Sequence, residues 1–293
     1  MCITLGPADL RGTRLYAGVG EVDGKVVHVI AYQNSAKSAG PNAMILPIPA
    51  AVMPGERNVI DTRDFADFLF TIHAATEVNK PRSSDRGGAA SAASVFDVGS
   101  YTVVLAEKAG AVVAALSRVP PEKRPAADPR LLAAFEEHYP GWPLALCCWR
   151  GSVQPEPLLW WYEPKFPDRL FAPALDAHDG GPPDLGAKVK VDHYLAFGAK
   201  NFRGGAEVWF YQQIPPEVQN LLPDTVWGTR IHAKLPNGDF WLDLAQLDGP
   251  ALRRAPGNNQ PGVDIHLGGW ERDMEDGHWA EPKWSHWRRS VLF

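Results

Sequence analysis

The sequence predicts an α+β protein in which antiparallel β-sheet predominates and two or three short helices pack on the sheet. Two β-prone runs flank Asp23-Gly24, a dipeptide typical of tight hairpins, and two more flank Pro236-Asn237-Gly238. Strands and helices do not alternate along the chain, which argues against a doubly wound parallel sheet. The four runs span residues 13–22, 25–33, 225–235 and 239–247.

Two helices are predicted from periodicity and capping. Phe65, Phe68 and Ile72 recur at helical spacing and indicate a helix over 64–78. Asp128-Pro129 pairs an N-cap residue with a proline at the first helical position, so a helix over 129–138 is expected. Shorter strands are predicted over 43–48, 95–106, 111–116, 144–149, 158–162, 188–197 and 207–213, with one or two helical turns over 215–222.

The chain of 293 residues is long enough for one large core or two modest ones. The clearest break lies within 163–187, where five prolines replace any periodic pattern. We therefore expect a single β-rich domain over 1–293, or two closely packed subdomains that divide within this segment.

Charge and composition limit the partners. Lys and Arg number 29 against 34 Asp and Glu, which gives a net charge of −5, and the two signs are interleaved. No basic stripe is visible in the sequence, so nucleic acid is not an expected partner. No cofactor is predicted either, because no nucleotide-binding or metal-binding motif of a specific kind is present.

The sequence also predicts a cytoplasmic protein with no membrane association. The first residues lack the charged and apolar regions of a secretory signal, and no apolar run approaches the ~20 residues of a membrane span. The cysteine count of three is odd and sparse, which suits a reducing compartment. Cys147 and Cys148 are neighbours within an apolar run, where core packing is the expected role.

Cys2 is a candidate catalytic nucleophile. Removal of Met1 would place a thiol and a free α-amine on one residue, and the amine is able to take the thiol proton. This start, followed by β-prone runs over 13–33, resembles in outline the opening of N-terminal-nucleophile amidohydrolases, many of which begin Met-Cys. The Arg-Asn-Asp pattern frequent in the bile-salt-hydrolase branch is replaced here by Ala17-Gly18-Val19-Gly20. The resemblance implies amide hydrolysis by Cys2, and an inert Cys2 is the alternative.

A metal site is a further hypothesis. His178-Asp179 and Asp192-His193 place imidazole beside carboxylate twice within a short stretch, so His178, Asp179 and His193 are candidate ligands. The alternative is a loop held by hydrogen bonds from Asp and His to the backbone.

Tryptophans crowd the end of the chain. Indole rings stack on sugars or pack against a protein partner, and they also fill cores, so they either form a binding surface or hold the C-terminus on the body. The favoured function is a non-catalytic binding or assembly protein with a protein or carbohydrate partner, and the amidohydrolase is the alternative. The candidate binding residues are Trp270, Trp279, Trp284 and Trp287.

Overall fold

A computed structural model describes residues 3–76, 96–98, 101–200, 202, 205–211, 213–246, 251–255 and 263–266. Fourteen strands and four short α-helices form in these residues, and the prediction of a mainly antiparallel α+β fold is confirmed. The helices are α1 (Phe68–Thr76), α2 (Val112–Leu116), α3 (Pro129–His138) and α4 (Pro216–Gln219). The strands are β1 (Ile3–Thr4), β2 (Asp9–Val22), β3 (Lys25–Pro47), β4 (Phe96–Val98), β5 (Tyr101–Ala106), β6 (Leu144–Val153), β7 (Leu158–Tyr162), β8 (Arg169–Ala172), β9 (Lys188–Ala199), β10 (Ala206–Glu207), β11 (Thr225–Pro236), β12 (Asp239–Asp243), β13 (Ala251–Ala255) and β14 (Val263–His266).

The larger sheet is built around β3. Its main path runs β10-β11-β9-β2-β3-β6-β5-β4, and β1 and β7 also pair with β3. The predicted run 43–48 is therefore the end of this 23-residue strand, and not a separate strand. β2 and β9 are parallel, whereas every other strand pair among the described residues is antiparallel.

The hairpin predicted at Asp23-Gly24 is confirmed. Val22 pairs with Lys25, and the two residues between them both have positive φ, 51° for Asp23 and 74° for Gly24. Asp and Gly are among the residues that accept this conformation at low cost, and the turn matches the twist of the flanking strands.

The hairpin predicted at Pro236-Asn237-Gly238 is wrong. β12 does not pair with β11; it lies between β8 and β13 in a second sheet of order β14-β13-β12-β8. The reason lies in contacts between residues that are far apart in the chain. The side-chain amide of Asn237 donates to the backbone carbonyls of Asp176 and Asp184 at 2.8 and 3.1 Å, which ties the reversal to a distant loop.

Both predicted helices are present. α3 has the expected bounds, and Asp128 caps it by accepting a 2.8 Å hydrogen bond from the Arg130 amide. The helix expected over 64–78 is a 3₁₀ turn, Arg63–Phe65, followed by α1.

Two strand predictions need correction. Residues 111–116 contain the end of a 3₁₀ turn and all of α2, and in the helix Val112, Ala115 and Leu116 share one buried face while Val113 is 62% exposed. Of the described residues in the strand predicted over 207–213, only Glu207, the second residue of β10, is strand.

One large hydrophobic cluster connects the two sheets. It includes Leu15 and Phe197 from the first sheet, and Phe171 and Trp241 from the second. The rings of Phe171 and Trp241 are 4.8 Å apart, and Trp142 contacts both of them. The number of domains stays a prediction, although β8, which lies inside the predicted boundary segment, contributes to this common core.

A second cluster lies on the other face of the first sheet, under α1. Phe68, Leu69 and Ile72 of the helix pack there with Tyr16 of β2 and Ala196 of β9. This helix therefore covers one part of the β2–β9–β11 surface. No helix among the described residues is long and apolar enough to cross a bilayer.

Candidate functional site

Five of the predicted site residues lie outside the described residues: Cys2, Trp270, Trp279, Trp284 and Trp287. The residue that follows Cys2 is described. Ile3 is 3% exposed, and it pairs with Ile45 of β3 on one side and bridges to Ala177 on the other. The roles predicted for Cys2 and the four tryptophans stay predictions.

The three predicted metal ligands are described, but they do not form a cluster. Nε2 of His178 lies 3.0 Å from Oδ1 of Asp176, and Oδ1 of Asp179 accepts a hydrogen bond from the Gly181 amide. His193 is fully buried in β9. Across the described part of the chain, no group of three or more His, Cys, Asp or Glu side chains is placed to hold a metal ion. The contacts of Asp179 fit the alternative of a hydrogen-bonded loop, and metal binding stays a prediction.

Cys147 and Cys148 are free thiols and fully buried, as expected for core residues. Burial raises the pKa of Cys148 to about 12, because a thiolate would lose its hydration there. The thiol is therefore protonated and unreactive at neutral pH.

The outer surface of β9 and β11 carries an unusual set of side chains. Along β9, Val191, His193 and Leu195 are fully buried, so the alternating residues face outward. On β11, Ile231 and Leu235 are likewise buried and the residues between them face outward. With Arg14 of β2, these outward residues form what we call the basic face: Arg14, Lys188, Lys190, Asp192, Tyr194, Arg230, His232 and Lys234.

Tyr194 lies at the centre of the basic face. It is in register with Arg14 on β2 and with Arg230 on β11, and the two guanidinium carbons are 5.1 and 5.0 Å from the centre of its ring. Contacts of this kind are cation–π interactions, each with a stabilisation of about 0.5–1 kcal/mol at an exposed site. Arg14 also lies 5.7 Å from the ring of Phe70 in α1, which further fixes its position.

The one carboxylate of the basic face is already engaged. Oδ1 of Asp192 accepts from the Arg230 guanidinium at 3.1 Å and lies 3.5 Å from Nδ1 of His232. All three side chains remain about half exposed, so the network is open to solvent. Asp192 is thus committed to the centre of the face and does not reach the lysines at its end.

Lys190 and Lys234 are directly opposite each other in the β9–β11 ladder, and both are exposed. No acidic side chain lies within ion-pair distance of either one in the described part of the chain. Like charges in directly opposed positions destabilise a strand pair. The end of the basic face therefore has two exposed lysines in directly opposed positions, without an ion-pair partner among the described residues.

His73 of α1 lies beneath the edge of this face. Its ring meets that of Tyr194 edge-on at 5.8 Å, and it is 3% exposed. Burial, reinforced by the positive charge of Arg14, lowers the pKa of His73 to about 3. The imidazole is neutral at physiological pH and does not add to the charge of the face.

Comparisons with known proteins do not identify the chain: no protein-family model, no curated protein and no solved structure matches it. Sequence reasoning missed the basic face because its cations come from three separate strands. One signal was available, since Lys188, Lys190, Asp192 and Tyr194 alternate with Val189, Val191, His193 and Leu195, the pattern of a strand with one solvated face.

Proposed function

We propose that this chain is a non-catalytic binding protein that takes an acidic protein segment on its basic face. The observation that carries the proposal is the pair Lys190 and Lys234, opposed in register and without an acidic neighbour in the described part. Local rules of strand pairing disfavour this arrangement, and natural proteins tend to break such rules at functional sites. An acidic partner would remove the repulsion.

The concentration of positive charge supports the proposal. The basic face has five cationic side chains and one carboxylate, in a chain whose net charge is −5. Such a local field attracts an acidic partner and raises its association rate, and salt weakens the effect.

The two arginines supply geometry as well as charge. Stacking on Tyr194 restrains both guanidinium planes, so less conformational entropy is lost when they bind a carboxylate. Nε of Arg14 is buried and has no hydrogen-bond acceptor among the described residues. A guanidinium whose donors are incompletely used fits a site that an acceptor group completes.

The face fits an acidic protein segment better than a nucleic acid. Proteins that bind single-stranded nucleic acid on a sheet present exposed aromatic rings on which bases stack. The basic face has Tyr194 as its aromatic residue, and two guanidinium groups already lie over that ring. Carboxylates need no stacking surface and pair directly with lysine and arginine.

This proposal keeps the class of function that the sequence favours, a binding protein, and assigns it a surface. A contribution from Trp270, Trp279, Trp284 and Trp287 stays a prediction. The amidohydrolase alternative also stays a prediction, because Cys2 lies outside the described residues.

The test measures the binding of fluorescein-labelled poly-L-glutamate to the full chain. Fluorescence anisotropy reports the binding at low and at physiological salt. We expect saturable binding that weakens with salt, and a loss of about tenfold or more in the variant Lys190→Gln/Lys234→Gln, since two charge contacts are removed.

The matched control is Lys25→Gln/Lys165→Gln, which has the same net charge. Both of these lysines are exposed, and Lys25 lies at the β2–β3 turn, at the other end of the hairpin from Arg14. The control should bind poly-L-glutamate as the native chain does. Equal losses in the two double variants, or no binding by the native chain, would refute the proposal.

A further inference from the structure

The outer edge of β11 lies beside the basic face, and over most of its length no strand of the described part of the chain pairs with it. β10 pairs with β11 only at Thr225 and Val226. From residue 227 to 235, no described strand lies alongside β11 on the side away from β9. We call this stretch the open edge. Unpaired edges present N–H and C=O groups to which another extended chain is able to pair.

The direction of the backbone groups along the open edge follows from one hydrogen bond. The Val208 amide donates to the Asp224 carbonyl at 2.9 Å, so residue 224 points its backbone groups toward β10. In an antiparallel ladder these directions alternate from residue to residue. The even-numbered residues, among them His232 and Lys234, therefore direct their N–H and C=O groups to the open edge.

The same residues have their side chains on the basic face, because burial places the odd-numbered Ile231 and Leu235 on the inner side. A strand paired antiparallel to the open edge would put a residue directly opposite His232 and another opposite Lys234. Opposed residues have Cβ atoms about 4.5–5.5 Å apart on the same face, within ion-pair reach of long side chains. Acidic residues at alternate positions of the added strand would therefore meet the cations of β11.

The inner side of the open edge favours apolar residues at the remaining positions. Apolar side chains of β11 are already present on this side: Trp227 and Ala233 are partly buried and pack against the main hydrophobic cluster. An added strand with apolar side chains between its acidic ones would extend this layer.

From these observations we propose that the acidic partner binds as an added antiparallel strand on the open edge of β11, with acidic and apolar residues in alternation. This inference rests on the proposed function and specifies its partner. A second copy of the chain is a poor occupant, since its own β11 would bring Arg230 and Lys234 against the same cations.

The test measures the binding of a labelled peptide to the full native chain. The peptide has about seven residues, in which glutamate alternates with valine. In the proposed complex the glutamate amides point to β11 and the valine amides point away. We expect N-methylation of the glutamates to weaken binding by at least about tenfold, whereas N-methylation of the valines, the matched control, leaves it unchanged. Hydrogen exchange should also slow at the amides of His232 and Lys234.

A variant pair tests the protein side. Lys234→Gln and Lys234→Pro both remove the charge, and only the proline removes the edge-facing N–H, a change that edge strands tolerate. We expect Lys234→Pro to bind the peptide at least about fivefold more weakly than Lys234→Gln, with circular dichroism confirming that both are folded.

The outcomes separate the two proposals. If both N-methylated peptides bind as the parent does, strand addition is wrong, while binding of acidic segments to the basic face still stands. If neither the parent peptide nor poly-L-glutamate binds, the proposed function fails and the inference fails with it.

Discussion

The phenol of Tyr139 donates a 2.7 Å hydrogen bond to Oδ2 of Asp239, a residue 100 positions further along the chain. The other carboxylate oxygen of Asp239 accepts from the amides of Ala174 and Leu175 at 2.7 and 2.9 Å. Asp239 is fully buried, so this one side chain connects the end of α3, the loop after β8 and the start of β12. The carboxylate therefore holds the start of β12 against the end of α3 and the loop after β8.

Asp239→Ala should lower the free energy of unfolding by about 3 kcal/mol or more, because three buried donors lose their acceptor at once. Urea denaturation measures the loss. Asp243→Ala is the control, since Asp243 is exposed and accepts one local hydrogen bond from Ala245, and it should cost less than about 1 kcal/mol. Similar costs for the two variants would contradict the role given to Asp239.

Acid should destabilise the protein through two buried histidines. Burial lowers the pKa of His28 to about 4 and that of His73 to about 3, whereas both titrate near 6.5 in the unfolded chain. The unfolded state therefore binds more protons below pH 6.5. Stability from these residues is fully present above pH 6.5 and is lost as the pH falls toward 4 and then 3, by about 3 kcal/mol for His28 at pH 4.

The measurement is urea denaturation of the native chain and of His28→Gln between pH 7.5 and 4.5. We expect the free energy of unfolding to depend less steeply on pH in the variant. The difference corresponds to about one proton fewer taken up on unfolding, because glutamine does not titrate in this range. Above pH 7 the two slopes should coincide. Identical slopes down to pH 4.5 would show that His28 does not stay neutral in the folded state.

Gly18→Ala should be strongly destabilising. A methyl group at this position would overlap the hydroxyl of Tyr16 and lie 2.9 Å from the Gly198 carbonyl. Overpacking of this kind costs about 1–3 kcal/mol, and here the obstacles include backbone. Gly110→Ala is the matched control, since no atom lies within 4 Å of the added methyl, and it should leave the melting temperature unchanged or raise it slightly.

Tyr16→Phe should stabilise the protein by about 1 kcal/mol. The Tyr16 hydroxyl is buried, and no hydrogen-bond partner for it exists among the described residues. Its removal relieves the desolvation of a polar group while the ring continues to fill the core under α1. The melting temperature is the readout, and a clear decrease would mean that the hydroxyl has a partner in the folded protein.

The amidohydrolase alternative is tested by the mass of the intact chain and by Cys2→Ala. N-terminal-nucleophile chemistry needs a free α-amine on Cys2, so a mature chain that keeps Met1 contradicts it. For a binding protein, we expect Cys2→Ala to bind poly-L-glutamate within about twofold of the native chain.

Local sequence signals predicted local structure well. The Asp23-Gly24 turn and the Asp128 cap depend on the conformations of neighbouring residues, and both are present as expected. The run 111–116 shows the limit of such signals, because a short apolar segment fits a strand or a helix equally until its neighbours are known. Asn237 shows another limit, since its side chain bonds to carbonyls more than 50 residues away.

The sequence by itself determined the fold class, the central hairpin and the capped helix, because periodicity and turn chemistry act between residues close in the chain. The tertiary structure alone decided which strands are neighbours, and therefore which charges meet. Arg14, Tyr194 and Arg230 contact one another because β2, β9 and β11 lie side by side, and Lys190 opposes Lys234 because of the register of one ladder. Strand order and register depend on long-range packing, which no local pattern specifies.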